Sequence, residues 1–140
     1  MYWVTFIDNF SCFLAVYFIA KKSNVFGAFR QYKAWVENVT SQQIGILHND
    51  KGLEYMSSEF NHFLSEAGIW WEHSMHDTPQ QLGVAKHMNR SLAKGITTAL
   101  SQSGLTCTWW EDAAIHWLHR KIRLPSSVMA PLTPFELFYG

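Results

Sequence analysis

Two apolar runs open the chain, Tyr2–Ile7 and Phe13–Ala20, with only Asp8-Asn9-Phe10-Ser11-Cys12 between them. Both runs are rich in β-branched and aromatic residues, which suit a pleated, half-buried surface. Asp, Asn and Ser favour turns because their side chains bond to nearby backbone. The chain therefore begins as a β-hairpin, and its later elements must pack on a sheet that already has two strands. The same stretch raises a membrane question, which its details answer. Asp8 and Asn9 interrupt it and no basic residue precedes it, so neither a membrane span nor a signal segment is expected.

After the hairpin the pattern alternates. Ser23 is placed to cap a helix running to about Asn38, with Val25, Phe26, Phe29, Tyr32 and Val36 as its apolar stripe. Ile44 to Leu47 reads as a short buried strand ending near Asp50, and Gly52 lets the chain turn just beyond. Ser57 or Ser58 caps a second helix carrying Phe60, Phe63, Leu64 and Ala67, with Gly68 as its stop. Ile69 to Glu72 is another strand, and His73 to Gly83 is polar and reads as a loop. A long helix from about Val84 to Ser101 comes next, then a helix from Trp109 to Arg120. Residues 124–140 hold three of the four prolines and are expected to be irregular, with a short helix from Pro134. No repeat, low-complexity tract or linker divides the chain. Strand–strand–helix–strand–helix–strand–helix is an α/β order with helices packed on a mixed sheet, an order that several folds share.

With 140 residues, 48% hydrophobic and 16% aromatic, the chain can bury a core and is not of the disordered class. Its net charge of zero gives no argument for nucleic acid. The distribution says more. Residues 1–85 carry five Lys/Arg against eight Asp/Glu, and residues 86–140 carry six against three, an asymmetry that fits a basic face in the second half and equally a solvated helix surface. Cys12 and Cys107 have neither metal-ligand nor redox spacing, which points to a reducing compartment, nucleus or cytoplasm.

Two motifs stand out, His48-Asn49-Asp50-Lys51-Gly52-Leu53-Glu54-Tyr55 and Thr78-Pro79-Gln80-Gln81-Leu82-Gly83-Val84-Ala85-Lys86. Between Asp50 and Lys86 lie 35 residues, 51 through 85. Together with Tyr2-Trp3-Val4-Thr5-Phe6-Ile7-Asp8-Asn9, Asn89-Arg90 and Thr133-Pro134-Phe135-Glu136, these motifs resemble the integrase catalytic cores of copia-type retrotransposons. The resemblance runs in order along essentially the whole chain. It implies a ribonuclease H-like mixed sheet flanked by helices, lacking the first, central strand. Residues 1–123 would form a truncated core, and residues 124–140 a post-core segment.

The chemistry implied by that resemblance is DNA integration: 3′-end processing, then strand transfer on Mg²⁺. Mg²⁺ wants oxygen ligands, and the family supplies two Asp and one Glu. Asp50 would be the second acid and a metal ligand. Lys86 stands where the third acid is expected, and an ammonium group has no lone pair to offer a cation. Asp8 matches a hairpin position, not the first acid. One acid of three remains, so catalysis and Mg²⁺ binding are not expected of this chain. Contacts to DNA are implied for Lys51, Gln80, Gln81, Asn89, Arg90 and Lys94. Lys86, Arg90 and Lys94 recur every four residues opposite Met88, Leu92 and Ile96, as either a phosphate-binding stripe or a solvated helix face.

Two other readings accompany this one: a DNA-binding or dimerising module that keeps the basic helix, and a relic reading frame without a role. Without a central strand, the hairpin and the Ile44–Leu47 strand must pair directly, leave a gap, or borrow a strand, and oligomerisation would result from the last. His73/His76 and His116/His119 lack the cysteine partners of a zinc site and read as surface residues. The tryptophans are core residues by default, with one of each doubled pair, Trp70-Trp71 and Trp109-Trp110, left exposed.

Overall fold

The computed structural model describes residues 1–49, 57–73, 79–127 and 129–140. In chain order the elements are β1 (Tyr2–Ile7), β2 (Leu14–Ile19), α1 (Val25–Thr40), β3 (Ile46–Asn49), α2 (Ser58–Glu66), β4 (Trp70–His73), α3 (Pro79–Ser103), α4 (Trp110–Lys121) and α5 (Pro134–Tyr139). The α/β order read from the sequence is thus the order observed. No helix among the described residues is long and apolar enough to cross a membrane.

The strands form two separate two-stranded sheets, β1–β2 and a parallel β3–β4 pair. Direct pairing of the hairpin with the third strand, one of three outcomes expected for a sheet without its central strand, is not adopted among the described residues. The expectation of a buried strand at Ile44–Leu47 is corrected: β3 lies at Ile46–Asn49 and its Ile46 is 55% exposed. Among the described residues its one neighbouring strand is β4.

By compactness the chain divides into residues 1–4 with 19–84, and residues 5–18 with 85–140. The first unit is built on aromatic edges. Phe26 and Phe29 of α1 meet Phe60 and Phe63 of α2 in T-shaped contacts, and Arg30 lies over the Phe26 and Phe63 rings. Phe29 is fully buried, a burial that stabilises by about 1.5–3 kcal/mol. Ser57 caps α2, its Oγ accepting from the Phe60 N–H at 3.2 Å, and Gly68 comes after the helix in the left-handed region at φ 69°. Ser23 does not cap α1, because a 3-10 turn at Lys22–Asn24 precedes the helix and Asn24 takes the cap position without a side-chain bond.

In the second unit the hairpin turn is held by side chains. Asp8 Oδ2 accepts from the Ser11 N–H at 2.8 Å and from Ser11 Oγ at 2.6 Å, while Ser11 Oγ accepts from the Phe13 N–H at 3.1 Å. Phe13 then stacks on Phe138 of α5, with centroids 4.2 Å apart. Thr133 and Glu136 form a reciprocal capping box that starts α5 at Pro134, the short helix expected there. Arg123 lies 4.3 Å over the Phe135 ring, and the Phe135 N–H donates to the Ile122 carbonyl at 2.9 Å. Gly95 lets α3 and α4 approach closely, since a Cβ there would fall inside the Trp117 indole.

Helix α3 begins five residues before the Val84 start read from the sequence, at Pro79. Proline is well placed in a first helical turn, where its missing N–H costs nothing. The helix stops at Ser103, and Gly104 lies beyond it at φ 68°.

Candidate nucleic-acid interface

One face of α3 carries a regular row of cations. Its 25 residues contain Lys86, Arg90 and Lys94 and no acid at all. Leu92 and Ile96 are buried and Met88 and Asn89 half-buried, which fixes the inward side of the helix. At 100° per residue the three cations fall across the axis from Leu92, and all three are exposed. Three cations one turn apart repeat at about 6 Å along the axis, close enough to contact successive phosphates of one strand.

Asn89 points the other way. The Thr5 hydroxyl of β1 donates to its Oδ1 at 3.1 Å, so Asn89 ties the helix to the hairpin one residue before Arg90. Thr5 was not singled out from the sequence; it sits within a strand of apolar and aromatic neighbours, and no local pattern marks its partner 84 residues away. Gln80 and Gln81 lie in the first turn of α3, where main-chain N–H groups are not used by the helix itself. Asp50 and Lys51, as well as His76 of the first histidine pair, lie outside the described residues.

The strand end before Asp50 is well defined. Asn49 Oδ1 accepts from Trp71 Nε1–H at 2.9 Å, and His48 Nδ1 lies 3.0 Å from Glu72 Oε2. Both bonds cross from β3 to β4 and hold the end of the strand to which Asp50 is joined. Asp8 is committed to the hairpin turn, in keeping with its expected place there.

Among the described residues, which leave out Asp50, no three of His, Cys, Asp or Glu come together as a metal site. Position 86, where the resemblance puts an acid, presents an exposed ammonium that would repel the ion. His116 and His119 are exposed, as surface histidines would be. Of the doubled tryptophans, Trp70 is 70% and Trp109 50% exposed, and their neighbours Trp71 and Trp110 are half-buried.

No family model matches the chain. It is 35% identical over 133 residues to the retrovirus-related Pol polyprotein from transposon TNT 1-94 of Nicotiana tabacum, covering 93% of the chain and 10% of that protein. It is 30% identical over 139 residues to the Pol polyprotein from transposon RE2 of Arabidopsis thaliana, covering 99% of the chain and 9% of that protein. The chain therefore spans about a tenth of the length of these relatives. Among solved structures it superposes on the HTLV-2 integrase catalytic core domain in complex with magnesium (dimeric form) with a TM-score of 0.69. That match has 17% identity and covers 96% of this chain and 81% of the other.

The fold is that of an integrase catalytic core, α/β and ribonuclease H-like. Its sequence relatives are retrovirus-related Pol polyproteins of plant transposons, and sequence and fold together place the chain with the integrase cores of copia-type elements.

Proposed function

We propose that this chain is an integrase core that retains a grip on DNA through α3 and does not carry out metal-assisted strand transfer. The observation that carries the reading is the exposed, acid-free row of Lys86, Arg90 and Lys94 on one face of α3. In the family the role is DNA integration, with Mg²⁺ held by acids. Here one of those positions is a lysine, and an ammonium can pair with a phosphate directly where a carboxylate needs a metal between. Asn89 supports this surface through Thr5 and keeps the helix in place. The reading therefore expects affinity for duplex DNA with little sequence preference.

Two experiments test the two halves of the proposal. The chain should retard a labelled duplex at low salt, and replacing Lys86, Arg90 and Lys94 together with Gln should weaken that binding and flatten its salt dependence while the chain still melts cooperatively. An unaltered affinity in the triple variant would remove α3 from the interface. Strand transfer on an end-mimicking duplex with Mg²⁺ or Mn²⁺ should give no product, and Lys86→Glu alone should not restore it. Joined product from the unaltered chain would overturn the inactive reading.

A further inference from the structure

We infer that Trp70 and Glu72, on the exposed face of β4, form a docking site for an arginine side chain of a basic peptide. Residues two apart in a strand share a face, so the Trp70 indole and the Glu72 carboxylate are neighbours about 6–7 Å apart along the strand. Trp70 is 70% exposed. Among the described residues its ring meets no other ring and no cation, and its Nε1–H has no acceptor. Trp71 is in the opposite condition, half-buried and donating to Asn49 Oδ1 at 2.9 Å. An exposed indole presents a π face that attracts cations.

Charge decides what fits there. Glu72 uses Oε2 for His48 at 3.0 Å, which leaves Oε1 without a partner among the described residues. From Ser57 to His73 the chain has three glutamates and no lysine or arginine. A base stacked on Trp70 would bring its phosphates toward these carboxylates, so a nucleic acid is disfavoured. A cation is favoured twice, by the ring and by Glu72. Arginine fits better than lysine, because a flat guanidinium lies on an indole and still presents N–H groups to a carboxylate.

What adjoins Trp70 favours a peptide over a free cation. Asn61, Leu64 and Ser65 of α2, with Ile69, Trp70 and Trp71, line a cavity of about 240 Å³. Leu64 and Ile69 are its buried apolar part, and the exposed Asn61 and Ser65 carry donors and acceptors that match a peptide main chain. That volume is below the about 300–1,000 Å³ of sites for drug-sized ligands and suits a single side chain.

Fluorescence anisotropy with a labelled octapeptide of alternating arginine and glycine tests the site. The unaltered chain should bind it, and should not bind the same peptide with uncharged citrulline in place of arginine. Trp70→Ala should weaken binding about 2- to 30-fold, and Glu72→Gln about 1.5- to 5-fold. Glu59→Gln is the control, because Glu59 lies across α2 from Asn61 and Ser65 and should change nothing. No binding of the arginine peptide, equal binding of the citrulline peptide, or equal losses in Glu59→Gln and Glu72→Gln would overturn the inference. So would an affinity indifferent to Trp70→Ala, or Trp70-dependent binding of a labelled single-stranded oligonucleotide instead of the peptide. No duplex enters these measurements, so they stand apart from the test of α3.

Discussion

The two small sheets of this protein are held in different ways. The β1–β2 hairpin closes on itself through Asp8 and Ser11, and buries Leu14, Ala15 and Ile19. The β3–β4 pair is parallel, so its strands meet only because α2 carries the chain back, and it leaves Ile46 and Trp70 in solvent. A hairpin needs a turn, and the turn residues are adjacent in sequence. A parallel pair needs neighbours, and here β3 has one among the described residues. Local chemistry fixes the turn of the first sheet, whereas the second is held only by contacts between residues distant in sequence.

That contrast can be broken at defined positions. The largest effect is expected for Leu14→Ala, where a side chain only 1% exposed is removed from the hairpin; it should cost about 2–5 kcal/mol in urea unfolding. Ile46→Ala in the other sheet should change the monomer by no more than about 0.5 kcal/mol. Comparable losses at the two sites would erase the distinction. Next is Asp8→Ala, which strands the N–H and hydroxyl of fully buried Ser11 and should cost about 1–3 kcal/mol. Trp71→Phe keeps most of the ring but drops its bond to Asn49, and should cost about 1 kcal/mol by the same measurement.

The smallest effect is a pH dependence at the approach to β3. Burial raises the Glu37 carboxyl, but the Lys33 ammonium at 2.6 Å and the Ile44 N–H outweigh it and hold the group below the usual glutamate range. A carboxylate lowered by folding contributes stability that is full above its unfolded value, about 4.3, and is lost as pH falls through the folded one. Glu37→Gln should therefore be less stable than the unaltered chain near neutrality, by no more than about 1 kcal/mol, and the gap should close on acidification.

The legible parts of the fold were those set by neighbours in sequence. The hairpin, the Ser57 cap, Gly68 and the Pro134 helix all carry their signals within a few residues. Three readings failed for physical reasons. Ser23 sits in a 3-10 turn, whose geometry preempts the cap. The start of α3 is polar, Pro79-Gln80-Gln81, so the apolar period on which helices are read begins only later. The apolar run before Asp50 suggested burial, but burial of a strand depends on partners that its own residues do not encode. At the site, the cationic period on α3 was visible because it repeats every turn. Its support, Thr5 on Asn89, and the crossings from Asn49 to Trp71 and His48 to Glu72 were not, since each joins residues distant in sequence.

The central claim is that the exposed cations of α3 bind the phosphate backbone. It is tested most directly by the salt dependence of duplex affinity, compared between the unaltered chain and the variant with Lys86, Arg90 and Lys94 all replaced by Gln. Each phosphate contact contributes about −0.9 to the slope of log affinity against log salt, so the triple variant's slope should be shallower by about 2.7 at most. Equal slopes in two chains that melt alike would contradict the claim.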